Sequence, residues 1–411
     1  MSDAKPYCIP KQGVYQAYLM VKRNKGSYGV DEQSIQEFDK DWKSNLYRIW
    51  NRMSSGSYFP MAVKRVEIPK GDGKMRPLGI PTVSDRIAQA VVKMYIEPRL
   101  EKIFSNSSYG YRPNRSALDA VGKARANCFS YSFVVDIDIK GFFDNIDHEL
   151  LMKAVSKHIS EKWILLYIER WLKAPVKLPN GETSASTKGT PQGGVISPLL
   201  ANLFLHYVMD VWLEKHYRGV PFERYADDAL LHFRSESHAK KVLEALDARF
   251  KECKLELNRE KTKLVYCKDK KRKESYETIS FSFLGYDFQP RACRTKQGLI
   301  ECGFLPAMGK KAKQRFTEKL KALKISRNTD RSIEELANLL NPIMRGITNY
   351  FGAYYKSALS EHYSQVNLKL KKWALRKYKK RSILRWLQHQ YLTRRDLFVH
   401  WGYNKPTHFF G

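Results

Sequence analysis

Apolar positions at helical spacing open the chain. Tyr15, Tyr18, Leu19, Ile35, Phe38, Trp42, Leu46, Ile49 and Trp50 lie at such spacings within residues 11–59, broken at Gly26–Gly29. They predict a small helical extension over residues 1–60. The period then drops to two: Ala62-Val63-Lys64-Arg65-Val66-Glu67-Ile68 alternates as a half-buried strand does. It runs through the turn Pro69–Lys74 into Arg76-Pro77-Leu78-Gly79-Ile80-Pro81, a β-hairpin carrying basic residues. A helix opened by a Ser84 cap is predicted to Phe104. Phe133–Ile139 reads as a buried strand interrupted by Asp136 and Asp138, helices are predicted around 148–173 and 198–216, and Phe222–Phe233 reads as two short strands with acidic residues at the bend. Beyond about residue 305 strand signals fade, and amphipathic helical patterns cover Lys310–Leu323, Ile333–Leu340 and Val366–Tyr378. The expectation is a mixed α+β middle with an antiparallel sheet, then a helical domain, divided near residues 295–305.

Length and composition fit that division. A chain of 411 residues suits two or three structural units, and 43% apolar residues can fold them. Charge changes the picture: 73 Lys+Arg against 42 Asp+Glu leaves +31, which implies a polyanionic partner. The 24 Tyr, 20 Phe and 8 Trp interleaved with basic residues favour nucleic acid over membrane, because such mixtures hold phosphates and stack on bases. No stretch is apolar enough for long enough to span a bilayer, and MSDAKPYCIPKQG lacks an apolar leader, so a cytoplasmic setting without a membrane partner is expected. Six dispersed cysteines with no CxxC pair argue against a zinc site or a disulfide framework.

The charge is concentrated late. Residues 301–411 hold 23 Lys+Arg and 7 Asp+Glu, about half of the net surplus, and Lys356–Arg395 holds 12 basic residues and one acidic. With Trp373, Tyr378, Trp386 and Tyr391 among them, this region is a candidate RNA contact.

Carboxylates carry the strongest chemical signal. Arg224-Tyr225-Ala226-Asp227-Asp228-Ala229-Leu230-Leu231 sets two adjacent acids between apolar strand-like flanks, and Asp136 and Asp138 repeat the anomaly on a second strand. Burying like charges together is costly unless a cation compensates. Two divalent ions held by carboxylates from two neighbouring strands would do so, and Mg2+ suits a hard oxygen site. Polymerases need that chemistry to activate a 3′-hydroxyl and brace a triphosphate.

Six motifs, Arg76-Pro77-Leu78-Gly79-Ile80-Pro81, Ser108-Tyr109-Gly110-Tyr111-Arg112-Pro113, Asp138-Ile139-Lys140-Gly141-Phe142-Phe143-Asp144, Gly189-Thr190-Pro191-Gln192-Gly193-Gly194-Val195-Ile196-Ser197-Pro198, Tyr225-Ala226-Asp227-Asp228 and Phe283-Leu284-Gly285-Tyr286, stand in this order. Together they closely resemble the bacterial reverse transcriptases of group II introns over roughly residues 15–400. The resemblance implies a right-hand polymerase fold with fingers and palm over 61–300 and an α-helical thumb and maturase domain over 301–411. It makes Asp138, Asp227 and Asp228 the catalytic, metal-binding triad for two Mg2+ ions, with Ile139 counted in the metal site. Asp136, on the same strand face as Asp138, falls outside the family spacing and is read as a structural or supporting carboxylate.

Other roles follow motif by motif. Phe143 would pack under the sugar C2′ and exclude a 2′-hydroxyl; Lys70 and Arg76 would fold over the triphosphate, with Lys74 and Lys64 as alternatives to Lys70. Gln192 would approach nucleotide or template, and Phe283–Tyr286 resembles a primer grip. Arg345-Gly346-Ile347-Thr348-Asn349-Tyr350-Phe351 resembles the maturase signature and is expected to pack helices, with RNA contacts at Lys369, Lys371, Lys372, Arg376, Lys377, Lys379 and Lys380.

The function implied is RNA-directed DNA polymerase activity combined with intron RNA binding for splicing and mobility. The partners implied are group II intron RNA, an RNA template, a DNA primer and deoxynucleoside triphosphates. A DNA-binding segment and a His-Asn-His endonuclease with paired cysteines, present in many relatives, have no counterpart before Gly411, so target nicking is not expected. Two other readings share these residues: a stand-alone reverse transcriptase in repair or phage defence, and a splicing factor that acts by binding alone.

Overall fold

The computed structural model describes residues 5–69, 75–294 and 297–403. Three helices open it: α1 (Lys11–Arg23), α2 (Ile35–Lys40) and α3 (Trp42–Ser55). They bury Tyr18, Ile35, Phe38, Leu46 and Ile49, as their spacing predicts, whereas Leu19 is exposed and Val14 is buried in its stead. A capping box in which Ser34 and Glu37 exchange hydrogen bonds starts α2. β1 (Val63–Pro69) and β2 (Met75–Ile80) pair antiparallel, from Lys64 opposite Ile80 to Pro69 opposite Met75, as the expected hairpin.

α4 (Val83–Leu100) starts earlier than the expected Ser84 cap and ends short of Phe104. The cap is Thr82, whose hydroxyl accepts from Asp85 N at 3.1 Å, and Ser84 lies inside the first turn. Thr82 is extended, at ψ 163°, and reaches the N3 amide as a cap must; Ser84, already helical, cannot.

The middle of the chain runs α5 (Ala117–Ser130), β3 (Phe133–Ile137), α6 (Phe142–Asn145), α7 (His148–Ser156), α8 (Lys162–Leu172), β4 (Val176–Lys177), β5 (Thr183–Ser184) and α9 (Ser197–Leu205). A five-residue π-helical stretch, His206–Asp210, joins α9 to α10 (Val211–His216). Then come β6 (Phe222–Tyr225), β7 (Asp228–Phe233), α11 (Glu236–Glu252), β8 (Lys263–Tyr266), β9 (Phe281–Phe283), β10 (Tyr286–Arg294) and β11 (Ile300–Met308). Four α-helices follow, α12 (Lys310–Ala322), α13 (Ile333–Phe351), α14 (Ser360–Tyr378) and α15 (Ile383–Thr393), and a short 3-10 helix, Val399–Gly402, ends the described chain.

Among the described residues the strands form three sheets, ordered β2-β1-β4-β5, β6-β7-β3-β8 and β11-β10-β9. The second contains the antiparallel β6–β7 hairpin, with Tyr225 opposite Asp228, and carries the candidate acids.

Two compact units result: residues 1–116 with 135–263, and residues 117–134 with 264–411. This differs from the division expected near 295–305. Residues 264–300 belong with the later helices, and β11 continues as strand to Met308. Its run Gly303–Met308 is buried at every position, which erases the alternation that marks a half-exposed strand. The second unit has its own core, built on Phe316, Leu340, Met344, Tyr363, Trp373 and Trp401.

Candidate active site

The β6–β7 hairpin turns through Ala226 and Asp227. Ala226 takes φ +58°, a conformation that costs a residue with a Cβ about 1 kcal/mol or more. The surroundings enforce it. Arg224 donates from NH1 to Ala226 O at 3.0 Å, and Gly110 lies so close that a Cβ there would stand 2.4 Å from Ala226 N. The segment Ser107–Tyr109 runs beside β6, with Arg224 N donating to Ser107 O and Tyr109 N to Arg224 O, both at 2.8 Å. Thus the Ser108–Pro113 motif abuts the Tyr225–Asp228 motif, and the rings of Tyr111 and Tyr225 lie 6.3 Å apart.

Behind the turn sits a buried polar network that sequence reasoning missed. Arg224 grips Asp210 with two bonds of 2.7 and 2.6 Å, and both side chains are fully inaccessible. Its NH1 also donates to Asn202 Oδ1 at 2.9 Å, and Asn202 Nδ2 donates to Gly110 O at 2.7 Å. A signal existed: Asn202 and Asp210 are lone polar residues in apolar helical runs, where a buried polar group needs a partner.

The acids carry unbalanced charge. Burial and then the negative charge of Asp228 push the Asp136 carboxyl up to about 7, with Lys263 opposing and Asp138 adding a lesser push. Asp228 reaches solvent yet is crowded by protein, and that crowding with the charges of Asp227 and Asp138 raises it to about 7. Asp227 is raised by burial first, with Arg76 and Arg224 opposing. Asp138, just past β3, is half-exposed; its Oδ2 stands 3.7 Å from Lys261 Nζ, and its amide donates to Thr262 Oγ1 at 3.3 Å. A pair this open contributes little and is easily exchanged for another cation. Ile139 follows, buried and bridged to Leu257.

These four acids therefore influence one another electrostatically, and Asp136, which lies outside the family spacing, is among them. Among the described residues, no three His, Cys, Asp or Glu side chains are gathered tightly enough to enclose a metal ion unaided. The donor set itself is hard oxygen with excess negative charge, which suits a magnesium-like ion.

The hairpin β1–β2 is locked to the loop at 189–194. Arg76 Nε donates to Gln192 Oε1 at 2.7 Å, Gly79 N donates to Gln192 O at 2.8 Å, and a Cβ on Gly193 would sit 2.4 Å from Gly79 O. Only glycine fits there, at φ +126°. Arg76 lowers the carboxyls of Asp227 and Asp228, so the structure brings Arg76, Gln192 and the acids into one neighbourhood. Between the hairpin and this loop lies a cavity of about 340 Å3 lined by Arg65, Leu78, Lys188, Pro191 and Gln192 among others. Phe143 is buried, its ring 5.3 Å from that of Phe142, and its carbonyl accepts from Thr190 N at 2.8 Å. Lys70 and its alternative Lys74 lie outside the described residues, and Lys64 places its ammonium 4.3 Å from the Tyr28 ring centre.

In the second unit, two motifs that are far apart in sequence meet. Tyr286 donates its hydroxyl to Tyr350 O, Tyr350 donates to Leu284 O at 2.8 Å, and the Tyr286 ring lies 5.1 Å from Phe351. The Arg345–Phe351 stretch thus packs α13 onto the β9–β10 turn, in keeping with its expected packing role. The basic candidates occupy α14 and its C-terminal end. Lys369, Lys372 and Arg376 share one helix face by their spacing, and Lys371 lies off that face. Arg376 also donates to Ser326 O at 3.2 Å and Lys377 to Arg331 O at 2.6 Å, whereas Lys379 and Lys380 are exposed beyond the helix. No helix among the described residues is long and apolar enough to cross a membrane.

Comparison with known proteins places this arrangement. Residues 68–288 match the family described as reverse transcriptase (RNA-dependent DNA polymerase), and residues 313–392 match the group II intron, maturase-specific domain. Group II intron-encoded protein LtrA of Lactococcus lactis subsp. cremoris is 36% identical over 203 residues, 49% of this chain and 33% of that protein. Protein YkfC of Escherichia coli (strain K12) is 35% identical over 209 residues, 49% of this chain and 54% of its own. The matched region thus spans a third to about half of these relatives' length. Among solved structures, a telomerase from Candida albicans aligns with 90% of this chain and 68% of its own at 12% identity and a TM-score of 0.48.

Proposed function

Because this chain belongs to the reverse transcriptase family and carries the group II intron maturase-specific domain, we propose that it is an RNA-directed DNA polymerase that binds intron RNA and assists its splicing and mobility. The observation that carries the reading is the gathering of Asp136, Asp138, Asp227 and Asp228, whose mutual repulsion a divalent cation would relieve, inside the matched region. Asp138, Asp227 and Asp228, with Ile139 beside them, would hold two Mg2+ ions. When bound, these ions would lower the pKa of a primer 3′-hydroxyl and neutralise the triphosphate and departing pyrophosphate.

The chain's own residues supply the rest. Arg76, held by Gln192, offers a planar fork to phosphate oxygens beside the acids, and Lys70 would join it. Phe143 would select deoxynucleotides by closing the space at C2′. Lys369, Lys372 and Arg376, with Lys371, Lys377, Lys379 and Lys380, would contact intron RNA phosphates. The template would be RNA and the primer DNA, in a bacterial cytoplasm, as the two bacterial relatives support.

The test is primer extension on an RNA template with deoxynucleotides and Mg2+, comparing the unaltered chain with Asp227→Asn/Asp228→Asn. Extension lost in the double variant with RNA binding retained supports the polymerase. Tight RNA binding by an unaltered chain that extends nothing sinks it and leaves a maturase that acts by binding alone.

A further inference from the structure

Asn202, Asp210 and Arg224 are 2%, 0% and 0% exposed, so none can touch a nucleotide or a primer. Yet their hydrogen bonds end on the backbone of the turn that carries Asp227 and on Gly110, the residue pressed against that turn. The contacts close a ring: Gly110 against Ala226, Ala226 O to Arg224, Arg224 to Asn202, and Asn202 back to Gly110 O.

The helix that supplies two members is deformed to do so. In an uninterrupted α-helix, positions 202 and 210 would point about 80° apart. The π-helical stretch His206–Asp210 advances fewer degrees per residue and reduces that offset, so one guanidinium reaches both Asn202 and Asp210. A fully buried Arg–Asp pair is rarely the cheapest way to fill a core, since apolar residues of similar volume often serve as well. Three of its donor contacts fix the guanidinium on Asp210 and Asn202 and the fourth ends on Ala226 O in the strained turn, which gives the pair another use.

We propose that Asn202, Arg224 and Asp210 form a positioning clamp that sets the backbone of the Ala226–Asp227 turn, and through it the divalent-ion affinity of Asp227 and Asp228. The clamp rests on the reading of those carboxylates as ion ligands. It acts through the turn, so its loss weakens ion binding without removing any ligand.

The experiment is a Mn2+ titration of the full chain followed by electron paramagnetic resonance, with thermal unfolding of each variant. Asn202→Ala removes both of its ring bonds, to Gly110 O and from Arg224; Arg224→Lys keeps the charge and loses the fork. Leu203→Ala, buried on the same helix outside the ring, controls for packing loss. The expected result is Mn2+ affinity about 10-fold weaker in Asn202→Ala and Arg224→Lys and unchanged in Leu203→Ala, with all three still folded. Unchanged affinity in Asn202→Ala, or an equal loss in Leu203→Ala, reduces the network to ordinary packing and overturns the proposal. An unaltered chain that binds Mn2+ but extends no primer refutes the polymerase reading while the clamp is still decided by the variants; one that binds no Mn2+ refutes the clamp as well.

Discussion

Replacing Asp136 by Asn should stabilise the metal-free protein at high pH and leave its stability at low pH unchanged. Its carboxyl, ordinarily near 3.8, is pushed up to about 7 by burial and by Asp228 and Asp138. A raised carboxyl means that the folded state favours the protonated form. The stabilising contribution is therefore fully present below about pH 4 and is lost as pH rises toward 7. A displacement of this size corresponds to about 4 kcal/mol for a fully shielded group, and because Asp136 is only half-buried, about 2 kcal/mol is the expected gain from Asn at pH 8. For a unit of this size that raises Tm by about 4–8 °C. The assay is thermal unfolding from pH 4 to 8 with chelator and again with saturating Mg2+. The variant should melt higher at pH 8, converge with the unaltered chain near pH 4, and lose part of its advantage when Mg2+ neutralises the neighbouring charge. A gap that does not change with pH, or a variant less stable at pH 8, would refute the assignment of Asp136 to the repelling cluster.

Other substitutions probe the remaining contacts. Gly110→Ala forces a methyl to within 2.4 Å of Ala226 N, where only backbone can yield, so a stability loss of about 1–3 kcal/mol and a collapse of primer extension are expected in denaturant titration and single-turnover assays. Gln192→Ala frees Arg76 from its 2.7 Å bond; KM for the deoxynucleotide should rise up to about 10-fold with Tm unchanged, and an unaltered KM would remove Gln192 from nucleotide binding. Replacing Lys369, Lys372 and Arg376 together by Ala should flatten the dependence of log affinity for structured RNA on log salt by up to about 2–3, as measured by filter binding, while primer extension on short templates persists.

Much of the candidate site is legible without coordinates because its chemistry is local. Asp227 and Asp228 are adjacent, Asp138 stands two residues beyond another misplaced acid, and the glycines of residues 189–194 mark a close-approach loop wherever it folds. Element types followed from the same kind of information: a period of 3.6 built α1–α3 and α12–α14, and a period of two built β1 and β2. Where a period is absent, element bounds are not legible in the chain. β11, buried at every position of Gly303–Met308, showed no alternation, and Thr82 and Ser84 are both capping residues in sequence, so only the reach of the Thr82 hydroxyl to Asp85 N decided the start of α4.

Pairing across long separations belonged to the tertiary structure alone. Asn202, Asp210 and Arg224 announced only that each needed a partner; burial with complementary geometry decided that they would satisfy one another behind Ala226. The same holds for Gly193 against Gly79, for Tyr286 against Tyr350, and for the division that gathers residues 117–134 with 264–411. Periodicity reports which face of an element is buried, because that depends on neighbours three or four residues away. The surface that covers the face, and the charges that end beside one another, follow from how whole elements pack, and no local pattern records that.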